Sequence, residues 1–341
     1  MLSSTINNLI RDLKPRQKEV IVCRFGLENN ERETLAEVGE RYGITRERVR
    51  QIEAESLRKI KEEAERERLN KILERIFSHL DSLGGVRRDD ILIDELRGIF
   101  KDNDIHRWHL HFLSEITEGP HYYFEDENFH SFWYAEEEVL KILKKFVNHL
   151  ERIIASKKED LIVRGKFDEY LSQIAKNYNI PESVGMNYVS VSRKFKVNPF
   201  GDFGLSDWEE INPKTMGSKA YLVIKKHGKP LHFREVAEFI NKMNFDEKKA
   251  LAQTIHNELI KDPRFVLVGR GSYALKEHGF VPGTAKEIIA KTLKSRGPMA
   301  LNDVINSVSE QRLLKKNTII LNLQNKKLFK KLPDGKYAVL K

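Results

Sequence analysis

Apolar positions recur at three-and-four spacing along most of the chain, and glycine or proline cuts that pattern into short segments. This is the pattern of amphipathic helices, each burying one stripe. The clearest case lies near the N-terminus. Thr34-Leu35-Ala36-Glu37 has the Thr-x-x-Glu spacing of a capping box, which predicts a helix from Leu35 to Tyr42, ended by Gly43. Thr45 then caps a second helix running from Arg46 through Ile60, with Val49, Ile52, Leu57 and Ile60 as its inward stripe. Two helices joined by a short glycine turn make a helix-turn-helix. On the opposite side of the second helix, Arg46, Glu47, Arg50 and Gln51 fall at i, i+1, i+4 and i+5 and project together.

The pattern also repeats. Ala220 to Leu231 aligns with Glu287 to Met299, each a helix halted by glycine with proline close behind. A second short helix follows at Val236 to Asn241 and at Val304 to Val308, and a third at Thr254 to Ile260 and at Thr318 to Leu323. Phe265 to Leu275 and Phe329 to Leu340 then read as strand pairs around Gly271 and an Asp334-Gly335 turn. Three helices and a hairpin form a winged helix. The plan recurs more faintly at Leu73 to Leu83, Asp90 to Phe100 and Arg107 to Ile116, with strands at Tyr122 to Phe124 and Phe129 to Tyr134. It recurs again at Val139 to Ile154, Phe167 to Tyr178 and Glu182 to Val189, with Phe195 to Val197 before a turn at Gly201 and Gly204. The expected architecture is mainly α: a helix-turn-helix at 1–65 and tandem winged helices with small β-hairpins at 66–135, 136–212, 213–278 and 279–341.

Charge sharpens this division. The 341 residues carry a net charge of +9, but 1–65 balance to 0, 66–212 to −6 and 213–341 to +15. The basic third points to an anionic partner, nucleic acid first. No apolar run approaches the ~20 residues that span a bilayer, and the N-terminus has no secretion-signal plan, so a cytoplasmic chain is expected. Cys23 is the one cysteine and lies in an apolar setting, which excludes Cys-rich zinc motifs and an internal disulfide.

The string Leu13 to Leu27 followed by Thr34 to Ile60 resembles region 4 of the sigma-70 class of bacterial sigma factors. The resemblance implies docking in the major groove of a promoter −35-type element, with Arg46, Glu47, Arg50 and Gln51 at the base-reading positions. Those side chains suit base edges, since Arg grips guanine O6 and N7, Gln pairs with adenine, and a carboxylate accepts from cytosine N4. Leu35 and its helix N-terminus match phosphate-contacting positions, and Thr45 and Arg48 join them. The resemblance also implies that RNA polymerase core seats its beta flap near Leu13, Val20, Phe25 and Leu27; the same residues equally fit the core of a small domain. About ten residues precede the motif and nothing after it resembles region 2. The expectation is therefore a regulator built on a region 4 module, without the parts of a complete initiation factor.

His227 to Phe233 and Phe265 to Leu275 resemble the HARE-HTH domain, the winged-helix module also found in the delta subunit of bacterial RNA polymerase. The second copy shares this weakly. Its Lys326, Lys327 and Lys330 suit DNA phosphates. The competing reading is a delta-like polymerase adaptor whose winged helices bind protein.

Enzymatic readings fall away. His106, His109 and His111 stand at no recognised metal-ligand spacing with a carboxylate or further ligand, and Gly269-Arg270-Gly271 reads as a hairpin turn. No catalytic residue, metal, cofactor or small-molecule substrate is expected. The expected partner is double-stranded promoter DNA, with RNA polymerase core beside it and no membrane.

Overall fold

The protein is described by a computed structural model covering residues 2–63, 66–312 and 314–340. Among these residues the chain forms seventeen α-helices and ten short strands, so it is mainly α, with helix-turn-helix folds towards both ends. The helix-turn-helix comprises α1 (Leu2–Arg11), α2 (Pro15–Phe25), α3 (Leu35–Tyr42) and α4 (Arg46–Glu63). The capping box forms as its spacing requires. Thr34 Oγ1 accepts the Glu37 amide at 3.2 Å, and Glu37 Oε2 accepts the Thr34 amide at 2.6 Å. Gly43 ends α3 in the left-handed region (φ 65°), and Gly39 lets the turn close, since a Cβ there would stand 2.7 Å from the Ile44 carbonyl oxygen. Helix α1 was not anticipated from the pattern.

Next come α5 (Arg66–Ser82), β1 (Val86–Arg88), α6 (Asp89–Phe100), α7 (Arg107–Ile116), β2 (His121–Tyr123) and β3 (Phe132–Tyr134), a winged helix whose sheet runs β1-β3-β2. A second follows: α8 (Glu137–Ile154), α9 (Lys158–Ile162), α10 (Phe167–Asn177), α11 (Glu182–Val191), β4 (Phe195–Val197) and β5 (Phe203–Leu205). Its turn rests on Gly201 (φ 86°), whereas Gly204 lies within β5 and not in the turn. The third consists of α12 (Met216–His227), β6 (Leu231–His232), α13 (Phe233–Met243), α14 (Ala252–Lys261), β7 (Phe265–Leu267) and β8 (Ser272–Leu275), in the sheet order β6-β8-β7. The fourth has α15 (Ala285–Arg296), α16 (Leu301–Gln311), α17 (Lys316–Leu323), β9 (Phe329–Lys331) and β10 (Tyr337–Val339).

The chain divides into two units, Met1–Lys196 with Phe203–Ser206, and Val197–Asp202 with Asp207–Lys341. In the first, one apolar core runs without a break from Leu2, Ile6 and Ile10 through Ile60, Ile72 and Ile76 to Leu110, Phe112 and Trp133. The helix-turn-helix and the 66–135 winged helix therefore share a core. A smaller cluster of Val20, Val38, Val49 and Ile52 holds α3 against α2 and α4. The second unit has separate cores, one centred on Ile224, Val236, Ile255 and Tyr273, the other on Ile289, Val304, Val308 and Ile319.

Candidate nucleic-acid interface

The turn between α3 and α4 decides which side of α4 faces out. Val49 is fully buried and Ile52 nearly so, which leaves Arg46, Glu47, Arg50 and Gln51 exposed on the other side. The four base-reading candidates thus share one solvent face. Arg50 pairs with Glu47 through two hydrogen bonds, Nε to Oε2 at 2.9 Å and Nη2 to Oε1 at 2.7 Å. That bidentate contact holds the Glu47 carboxyl below its usual range and raises the Arg50 guanidinium. It keeps a donor fork and an acceptor side by side where a guanine and a cytosine edge would meet them. Arg48 donates to Gln51 Oε1 at 3.2 Å, and Thr45 Oγ1 caps the helix by accepting the Arg48 amide at 3.2 Å. Leu35 is half-buried beside the small core, and its amide and that of Ala36 stand in the first turn of α3, where no helix carbonyl can reach them.

Residues 9–62 match the family model of sigma-70, region 4. The relatives of this stretch are RNA polymerase sigma factors. It is 39% identical over 74 residues to SigA of Clostridium acetobutylicum, covering 22% of this chain and 20% of that protein. It is 41% identical over 61 residues to SigA of Microcystis aeruginosa (18% and 15%) and 40% identical over 73 residues to RpoD of Neisseria gonorrhoeae (21% and 11%). The chain thus spans a fifth or less of the length of these sigma factors. Residues 214–278 match the family model of the HARE-HTH domain, the ASXL and restriction endonuclease HTH domain.

Within the region 4 stretch, Leu13, Val20, Phe25 and Leu27 lie under the surface, with relative exposures of 8%, 0%, 5% and 5%. Val20 belongs to the small cluster, and the other three belong to the continuous core. Their cover is α7 of the following winged helix: the Phe25 and Phe112 rings meet edge to face at 5.2 Å. The loop after α2 is fastened to the same helix. His106 Nε2 lies 3.3 Å from the Leu27 carbonyl oxygen, Trp108 Nε1 donates to the Asn30 carbonyl at 2.9 Å, and the Arg32 guanidinium sits 5.3 Å from the centre of the Trp108 ring. Sequence reading missed this clamp; its signal was the aromatic density of Trp108, His109, His111 and Phe112 on a helix otherwise read as ordinary.

Helix α11 occupies the corresponding position in the next winged helix and is also packed inward. Asn187 is 5% exposed; its Nδ2 donates to the Leu83 and Val86 carbonyls at 2.8 and 2.7 Å, and its Oδ1 accepts from Arg87 at 2.8 Å. Val184 lies over Gly84, where an added Cβ would come within 2.2 Å of it. Among the winged helices, then, only α14 and α17 leave a third-helix face open. On α14 that face carries Gln253, Thr254, Asn257, Ile260 and Lys261.

In the last winged helix, Lys326 and Lys327 lie between α17 and β9, and Lys330 lies on β9; all three are exposed or partly so. Lys315 and Lys316 stand exposed at the start of α17. Among the described residues none of these five lysines has a carboxylate partner, whereas Lys336 pairs with Asp334 at 3.2 Å. The histidine cluster is packing, not ligation. Among the described residues no group of three or more His, Cys, Asp or Glu is gathered to hold a metal ion, and no helix is long and apolar enough to cross a membrane.

Proposed function

We propose that this chain is a DNA-binding transcription protein whose region 4 stretch recognises a promoter −35-type element. The observation that carries this is the exposed quartet Arg46, Glu47, Arg50 and Gln51 on α4, within a stretch 39% to 41% identical to sigma factors. The lysines around α17 and β9 add phosphate contacts, and tandem sites on one chain raise the effective concentration of each for the other. The deciding measurement is affinity for a −35-type duplex against a random duplex, with and without Arg50→Ala. Equal losses on both, or no loss on either, would remove the readout role.

Contact with RNA polymerase core belongs to the same reading. A flap seated at Leu13, Phe25 and Leu27 would have to displace α7, because that helix already fills the hollow. Polymerase capture by the intact chain and by a Phe112→Ala variant distinguishes the cases: stronger capture by the variant supports a covered site, and equal capture places the contact elsewhere.

The adaptor reading is favoured by a different observation. Leu251, Ile260 and Leu267 of the third winged helix are 61%, 62% and 45% exposed, an apolar surface better suited to protein than to phosphate. Polymerase capture that persists without promoter DNA and after Arg50→Ala would support it.

A further inference from the structure

The fourth winged helix differs from the first and third in one element of its sheet. In the first, β1 pairs three residues with β3, and in the third, β6 pairs two with β8. In the fourth, the equivalent strand is reduced to a single bridge: Met299 and Tyr337 exchange backbone bonds of 3.1 and 2.8 Å. Beyond that bridge the edge of β10 is open among the described residues. Leu332 and Leu340 donate to the Lys336 and Leu328 carbonyls at 2.7 and 2.9 Å, and Ala338 stands opposite Lys330, so the even-numbered positions face β9. The N–H and C=O of Val339 therefore point the other way, like those of Tyr337, but with no strand to meet them.

A groove of about 640 Å³ adjoins this edge, lined by Leu293, Lys294 and Pro298 from one side and by Leu332, Val339 and Leu340 from the other, with Lys330. Among the described residues no carboxylate lines it. Residues 279–341 carry 13 Lys and Arg against 4 Asp and Glu, so the field over the groove is positive. We propose that this edge accepts an added strand from a protein partner, an extended segment in which apolar residues alternate with carboxylates. Its backbone pairs with Val339, its apolar side chains enter the groove, and its carboxylates meet Lys294 and Lys330. A second copy of this chain is a poor occupant, because edge-to-edge pairing would set the same lysines against each other. Duplex DNA would use the lysines but has no counterpart for the outward backbone of Val339.

The test uses the full chain and fluorescence anisotropy with a short labelled peptide alternating valine and glutamate, and a control with lysine in place of glutamate. The expected result is binding of the glutamate peptide alone. Val339→Pro removes the outward N–H and keeps the bonds to β9, and it should weaken binding roughly ten-fold or more, as should Lys294→Glu on the exposed end of α15. Circular dichroism melting checks that both variants fold, and the Lys294 variant touches no core residue. Three results would overturn the proposal. These are failure of the glutamate peptide to bind, binding unaffected by Lys294→Glu, or a dimer in light scattering that Val339→Pro dissociates.

Discussion

Arg50 and Glu47 present a matched donor and acceptor on α4, and removing the donor has a defined consequence. Arg50→Ala should cost about 1 to 3 kcal/mol of affinity for a −35-type duplex and little on random DNA, measured by titration at fixed salt. Thr34→Ala removes one half of the capping box and should lower stability by about 1 kcal/mol in chemical denaturation. His109 carries a pH prediction. Burial, reinforced by the charge of His106, pushes its imidazole down to about 4, and its Nδ1 accepts the His106 amide at 3.3 Å. The unfolded chain takes up this proton near the ordinary value of ~6.5, whereas the folded chain resists until about 4. The histidine's contribution is therefore complete above ~6.5 and is lost as pH falls towards 4. Between pH 7 and 5 the loss is about 2 kcal/mol, and melting curves at the two values should show a smaller drop for His109→Gln. Burial pushes His111 to about 4 as well, in the same direction.

At the scale of elements, the third helices of the winged helices divide into two kinds. α7 and α11 face inward, one over the region 4 stretch and the other over the strand that follows α5; α14 and α17 face solvent on one side. Phe112→Ala should destabilise the first unit by about 3 to 5 kcal/mol, because the ring is fully buried and lies against Phe25. Asn187→Leu should cost about 1 to 3 kcal/mol by stranding the Leu83 and Val86 carbonyls and one Arg87 donor. Denaturant titration reads both. The helices themselves were legible: the capping box, the glycine stops and the apolar stripes predict α3, α4, α12 and α15 closely. Their partners were not. Leu110, Phe112 and Leu113 announce a buried helix, but nothing local in those residues says that the surface they meet is Phe25 of another motif.

For the molecule as a whole, charge and readout separate. The region 4 stretch that offers base-reading side chains lies in the electrically balanced 1–65, and the net +15 sits in 213–341. If the last winged helix neutralises phosphates through Lys326, Lys327 and Lys330, replacing all three with Gln should flatten the salt dependence of DNA binding by about 0.9 per lysine in log-log slope, nearly uniformly across sequences. An unchanged slope would assign those lysines to another partner.

Local chemistry was enough to determine the helix-turn-helix, the repeated three-helix-and-hairpin plan and the face of α4 that stays wet, because caps, glycine stops and periodicity act within a few residues. Only the tertiary structure decided the fate of Leu13, Phe25 and Leu27, of the helices α7 and α11, and of the open edge at Val339. Each depends on which surfaces far apart in sequence cover one another, as Phe112 covers Phe25, and burial of that kind is set by the packing of the whole unit and leaves no periodic trace in the chain.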